Sequence, residues 1–417
     1  MVSIIPKLGR RSLNTFLRTM SNCTSTMPAE NPLKRISENG SEVEEKRIRT
    51  DFQRIKRRKY AALICYSGTG YLGLQRNPGQ KTIEEDLLTA MQKADAITEE
   101  AYNQPKIIEF QRAARTDKGV SAVRQILSLK LPLEISLETI NSHLPEQIRM
   151  VAVKRATKGF NCKDHCDART YSYMMPSFAL APKEQLPDEN YRITDEIIEK
   201  TNELLQTFVG THNYHNFTSR KKALDPSARR YIISFICERP ILTDGMEFVV
   251  LKVKVCEFLL LGQSFMLHQI RKMVGLIIAI MRGLTSVETV TKARGEEKLD
   301  LPRAPGAGLV LEEVHYDRYN ERYSKDGIHD PIEWSAFNDQ LEEFKTKYIL
   351  SNIVKIEKEE KSMLLWLEYL SKHSFDVRNG NRTLADDDEE NEDCVDEDRI
   401  GSTLKSENKH SDKCKDE

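Results

Sequence analysis

The chain has 417 residues, with 63 Lys+Arg against 64 Asp+Glu and a formal net charge of −1. A hydrophobic fraction of 39% beside 30% charged residues describes an ordered core joined to polar ends. No apolar run reaches the ~18 residues of a membrane-spanning helix, the longest being Met273–Met281, and eight scattered cysteines exclude a disulfide-scaffolded secreted domain.

The neutral total conceals an asymmetry. Ten of the thirteen residues from Asp386 to Asp398 are acidic, and the rest of the chain carries +9. Lys46–Lys59 (KRIRTDFQRIKRRK) holds eight basic residues and one acidic one. A basic body with an acidic tail fits a nucleic-acid binder whose tail is solvated or masks the basic surface. Two solubilising ends would look the same.

Residues 1–27 contain Lys7, Arg10, Arg11 and Arg18 without an acidic residue, and Ile5, Leu8, Leu13, Phe16 and Leu17 fall near one helical face. This is the pattern of a mitochondrial presequence. Starts at Met20 or Met27 would remove it, leaving the KRRK run ending at Lys59 as a nuclear address. Residues 28–58 lack apolar periodicity and read as a disordered basic linker.

Order is expected from Lys59. Strands are predicted at Lys59–Tyr66, Lys106–Phe110, Gln125–Leu131, Met150–Val153, Thr170–Met175, Arg229–Glu238 and Glu247–Val255. Helices are predicted after Asn77-Pro78-Gly79, over Ile83–Ala94, at Thr194–Phe208, and over an apolar stretch from about Ser264 to Met281. Mixed elements over 59–330 indicate one α/β or α+β catalytic domain. A helical extension (331–372) and a disordered acidic tail (373–417) follow.

Five motifs compete to carry chemistry. Gly68-Thr69-Gly70-Tyr71-Leu72-Gly73 satisfies G-x-G-x-x-G. A dinucleotide site needs a helix straight after the third glycine, and Pro78-Gly79 argues for a loop instead. Cys162-x-x-x-Cys166 lacks a second ligand pair and reads as ordinary thiols. Arg112–Ala122 (RAARTDKGVSA) sets Asp117 among Arg112, Arg115 and Lys118; nearby cations would keep it ionised as a nucleophile or base. A surface Asp in ordinary ion pairs would share that composition. Arg271 sits in the apolar helix, where a buried guanidinium requires a carboxylate such as Asp117; the alternative is an exposed stripe with Lys272. In Asp167–Tyr173 (DARTYSY), Tyr171 and Tyr173 share a strand face, either to stack an unpaired base or to fill the core.

Together, ARTDKGVSA, ARTYSY, QSFMLHQIRKMVG and LPRAPGAGLVL (Leu301–Leu311) resemble the motifs of the TruA-type tRNA pseudouridine synthases, in the same order over residues 59 to 317. GTHNYHNFTS and INSHLPEQIR are similar to the eukaryotic nuclear and mitochondrial branch. Ala114 departs from the glycine of bacterial members, and Val255–Leu261 reads as an insertion before the arginine helix. The resemblance implies an α+β pseudouridine synthase fold: a mixed, mostly antiparallel central sheet flanked by helices, with a C-terminal helical appendage. It implies isomerisation of uridine in tRNA, without metal, nucleotide or redox cofactor, by a monomer. Small nuclear and messenger RNAs are further candidate substrates. Asp117 would be the catalytic aspartate, Arg115 would fill the space left by the flipped base, and Arg271 would orient Asp117. Tyr171 would stack on the uracil, and Leu309 would close the pocket beside it. An RNA binder without chemistry is the competing class, distinguished by loss of one of these residues.

Overall fold

The computed structural model describes residues 56–185, 187–219, 221–256 and 265–375. The presequence, most of the basic linker, the acidic run and most of the Val255–Leu261 stretch lie outside the described residues.

One ten-stranded sheet organises the described chain. Its strands are β1 (Arg57–Tyr66), β2 (Gln111–Arg112), β3 (Ser121–Pro132), β4 (Ile148–Arg155), β5 (Ala168–Pro176), β6 (Gly210–Asn213), β7 (Arg229–Cys237), β8 (Ile241–Thr243), β9 (Met246–Cys256) and β10 (Leu309–His315). The order is β4-β1-β3-β10-β5-β9-β7-β6, with β2 beside β3 and β8 beside β9. β1 already includes Arg57 and Arg58, so order begins slightly inside the predicted linker. Its Ala61–Tyr66 run is buried on both faces, which explains a continuous apolar stretch rather than an alternating one.

β10 is the joint of the sheet. It pairs parallel to β3 through Val310–Ser121 and Leu311–Ala122, and antiparallel to β5. The other pairings are antiparallel. The early strands thus form one wing and β5 to β9 the other, and a strand that begins more than a hundred residues after β5 ends closes the gap.

Two expected elements differ. Lys106–Phe110 is not a strand; a 3-10 turn covers Pro105–Ile108 and ends at Glu109, in the left-handed region with φ 50°. Pro105 cannot donate to a ladder and suits a first helical turn, so pairing starts only at Gln111. The long apolar helix runs Gln269–Met281 rather than from Ser264, because His268 takes φ 60° and interrupts the helical path. All of its residues are buried, Arg271 and Lys272 included.

Helices Asn338–Phe344, Ser351–Glu360 and Ser362–Leu370 form the C-terminal extension. Lys345 Nζ lies 2.9 Å from Glu312 Oε1, and Ser172 Oγ donates to the same carboxylate at 2.6 Å. The extension thus meets the sheet through Glu312 beside Ser172, and its helices also border Tyr173 through Ile353, Glu357 and Met363.

Candidate active site

The ARTDKGV loop enters β3 and is held from behind by its neighbours. Val120 N donates to Asp117 O at 3.2 Å, closing a tight turn whose Gly119 has φ 75°, a conformation that favours glycine. Gln125 grips Ala114 twice, accepting from its N–H at 3.1 Å and donating to its carbonyl at 3.0 Å. Tyr66 and Thr116 share a hydroxyl hydrogen bond of 2.8 Å, and buried Arg169 donates to Ala113 O. The glycine-rich loop supplies the rest. Leu74 N donates to Thr116 O at 3.1 Å and Gly119 N to Tyr71 O at 3.2 Å. A Cβ on Gly68 would lie 2.4 Å from Val120 O, and one on Gly73 2.9 Å from Thr116 O. The G-x-G-x-x-G pattern therefore records close backbone contact with the aspartate loop.

A cleft of about 530 Å³ opens over this loop. Arg115, Asp117, Tyr171, Arg271 and Leu309 all line it, drawn from the loop, β5, the arginine helix and the first residue of β10. Tyr171 meets Phe265 edge-on, with ring centroids 5.4 Å apart at 77°. Tyr173 lies deeper and donates its hydroxyl to Pro305 O at 2.7 Å. The two tyrosines thus divide the alternatives: Tyr171 borders the cleft and Tyr173 is core.

The electrostatics differ from the sequence expectation. Of the three loop cations, Arg112 is committed to the buried carboxylate of Glu84. Burial pushes the Asp117 carboxyl up from its ordinary value, opposed by Arg271 and then by Arg303. The charge that favours the carboxylate comes from a helix and a segment remote in sequence, and desolvation outweighs it. Asp117 is not a surface ion-pair residue, and the Asp117–Arg271 coupling that the apolar helix demanded is present.

Arg271 is fixed in turn by the segment before β10. Its Nε donates to Ala304 O at 2.7 Å, and Ala304 N donates to Arg271 O at 3.1 Å. Glycines permit this approach: a Cβ on Gly275 would lie 2.2 Å from Pro302 O, and one on Gly306 3.4 Å from the Arg271 guanidinium carbon. The A-P-x-x-G-L segment thus backs Arg271 before delivering Leu309 to the cleft.

Four further residues belong to this site and were not singled out in the sequence. Arg169, His268 and Lys163 line the cleft, and Arg303 contacts His268. Three of them lie inside the quoted motifs, but nothing local separates them from their neighbours. Among the described residues no group of His, Cys, Asp or Glu is arranged to hold a metal ion, and Cys162 and Cys166 are buried thiols.

Comparison with known proteins gives the family. A profile described as tRNA pseudouridine synthase matches residues 204–317. A pseudouridylate synthase 1 homolog of Mus musculus is 48% identical over 351 residues, 83% of this chain and 80% of that protein. This chain belongs to the tRNA pseudouridine synthase family. A Homo sapiens homolog is 48% identical over 318 residues, 75% of this chain and 73% of its own. The tRNA pseudouridine synthase 1 of Yarrowia lipolytica is 35% identical over 396 residues, covering 74% of this chain and 73% of its own. The protein is accordingly an isomerase, a pseudouridine synthase.

Proposed function

We propose that the enzyme converts specific uridines of tRNA to pseudouridine at the Asp117 cleft, and accepts small nuclear and messenger RNA as further substrates. The observation that carries this reading is the convergence of Asp117, Arg115, Tyr171, Arg271 and Leu309 on one cleft of nucleotide size. The target base first leaves its stack, and exposed Arg115 fills the space it vacates. Tyr171 and Leu309 then border the uracil.

Asp117 attacks the bond at issue by one of two routes. Its carboxylate adds to C1′ as the N1 glycosidic bond breaks, or it removes the 2′ proton to give a glycal. In either case the detached uracil rotates and C5 bonds to C1′; the Asp117–C1′ ester bond breaks at that step in the first route, and Asp117 returns the proton to C2′ in the second. C5 then loses its proton and N1 gains one. Arg271 keeps the carboxylate oriented throughout, and Tyr171 assists departure of the C5 proton.

The test is tritium release from RNA labelled at uridine C5. Release is expected from tRNA, small nuclear RNA and messenger RNA transcripts, and its absence from tRNA would overturn the reading. The enzyme works as a monomer in this proposal, which sedimentation at working concentration checks; a stable dimer would refute it.

Two pools are also proposed, one in the mitochondrion through residues 1–27 and one in the nucleus from starts at Met20 or Met27. The support is the acid-free, Arg-bearing start and the KRRK run. A reporter fused to residues 1–27 should enter mitochondria, and a purely cytosolic reporter would remove that half of the proposal.

A further inference from the structure

Arg303 lies in the segment that docks on Arg271, one residue before the Ala304 that exchanges two hydrogen bonds with it. Its Nη1 lies 3.2 Å from Nδ1 and 3.3 Å from Nε2 of His268. His268 is the left-handed residue (φ 60°) immediately before the arginine helix, and its side chain lines the cleft with Asp117 and Tyr171. A non-glycine residue in that region costs energy and persists only where its surroundings hold it. Arg303 holds its ring while Lys272 N donates to His268 O at 3.0 Å, and a guanidinium in that position can donate only to a neutral imidazole.

We infer that Arg303 is a second positioning arginine of the active site: it clamps the His268 turn and, with Arg271, supplies the positive charge that faces Asp117. The inference rests on the reading that Asp117 carries the chemistry. Charged or titratable groups reach this region from several elements. The aspartate loop contributes Arg112, Arg115 and Lys118, β5 contributes Arg169 and Tyr171, the turn before β5 contributes Lys163, the helix start contributes His268, Arg271 and Lys272, and the docking segment contributes Arg303. Burial, then Arg303, Arg271 and Lys272, pushes the His268 imidazole down to about 2, so His268 stays neutral across the working range. Asp117 is the group left to titrate. With burial pushing its carboxyl up and Arg303 opposing, loss of Arg303 raises it further, and activity should fail at a higher pH on the acid side.

Single-turnover rates with saturating tRNA across pH 5–9 would test this. Arg303→Gln should move the acidic limb upward, losing at least about threefold more rate at the acid end than on the alkaline plateau. Arg303→Lys retains the charge and should keep the limb near that of wild type, which guards against mere misfolding of the first variant. A uniform loss for Arg303→Gln with an unmoved limb would overturn the inference. So would weakened tRNA binding with a salt slope reduced by about one, the mark of a phosphate contact, if the limb stayed in place. An Asp117→Asn control that still turns over would sink the underlying reading and this inference with it, whereas an unmoved limb beside an inactive Asp117→Asn would overturn the inference alone.

Discussion

Asp117→Asn is expected to abolish isomerisation while tRNA affinity stays within a few-fold of wild type. The substitution keeps the size and most hydrogen-bonding capacity of the side chain but removes the anion that both chemical routes require. Its neighbours should tolerate it. Burial already disfavours the charged form of this residue, and the loop is held through backbone atoms of Ala113, Ala114 and Thr116 rather than through the carboxylate. Stability should fall only modestly, because relief of a desolvated charge partly offsets the anion that buried Arg271 loses, and a denaturation midpoint on the same sample separates a chemical defect from a folding one. Tritium release and an equilibrium binding measurement on the same sample decide the matter. Residual turnover in a verified Asp117→Asn preparation would require another nucleophile or base.

Arg271 should give the second large effect, with a different signature. Arg271→Lys retains a cation but loses the planar fork and the Nε that reaches Ala304 O, so the rate is expected to fall by orders of magnitude. Arg271→Ala removes the strongest opponent of Asp117 desolvation. It leaves a carboxylate that is only half-buried, so the loss should be about 1.5–3 kcal/mol rather than the larger cost of breaking a fully buried pair. Combining Arg271→Ala with Asp117→Asn should recover part of that stability and none of the activity. Denaturant midpoints of the four proteins measure the coupling directly. Strictly additive losses would show that the two side chains do not act on each other.

Much of the site could be read from one sequence because the chemistry is concentrated in short runs. ARTDKGVSA carries both Arg115 and Asp117, and QSFMLHQIRKMVG sets a lone arginine in an apolar helix that obliges it to find an anion. Those constraints are local, as are the periodicities that marked β1, β9 and the helix Ile83–Lys93. Lys106–Phe110 was misread for an equally local reason: its apolar residues suited a strand, but Pro105 and the left-handed Glu109 close a turn there.

What the sequence by itself determined is therefore the family, the reaction and five residues that line one cleft, because each of these is written in residue types at fixed spacing. The tertiary structure decided how those residues are electrostatically balanced. Asp117 was expected to draw its counter-charge from its own loop together with Arg271. Arg112 is instead taken by Glu84, and the opposing charge arrives from Arg271 and Arg303. The insertion of β10 between β3 and β5 carries residues 301–309 onto the arginine helix, setting Ala304 and Gly306 against Arg271 and Arg303 against His268 and bringing Leu309 to the cleft. Desolvation depends on which atoms exclude water from a group, and here they come from segments separated by about two hundred residues. Spacing along the chain does not encode that distance, and only the closed sheet sets it.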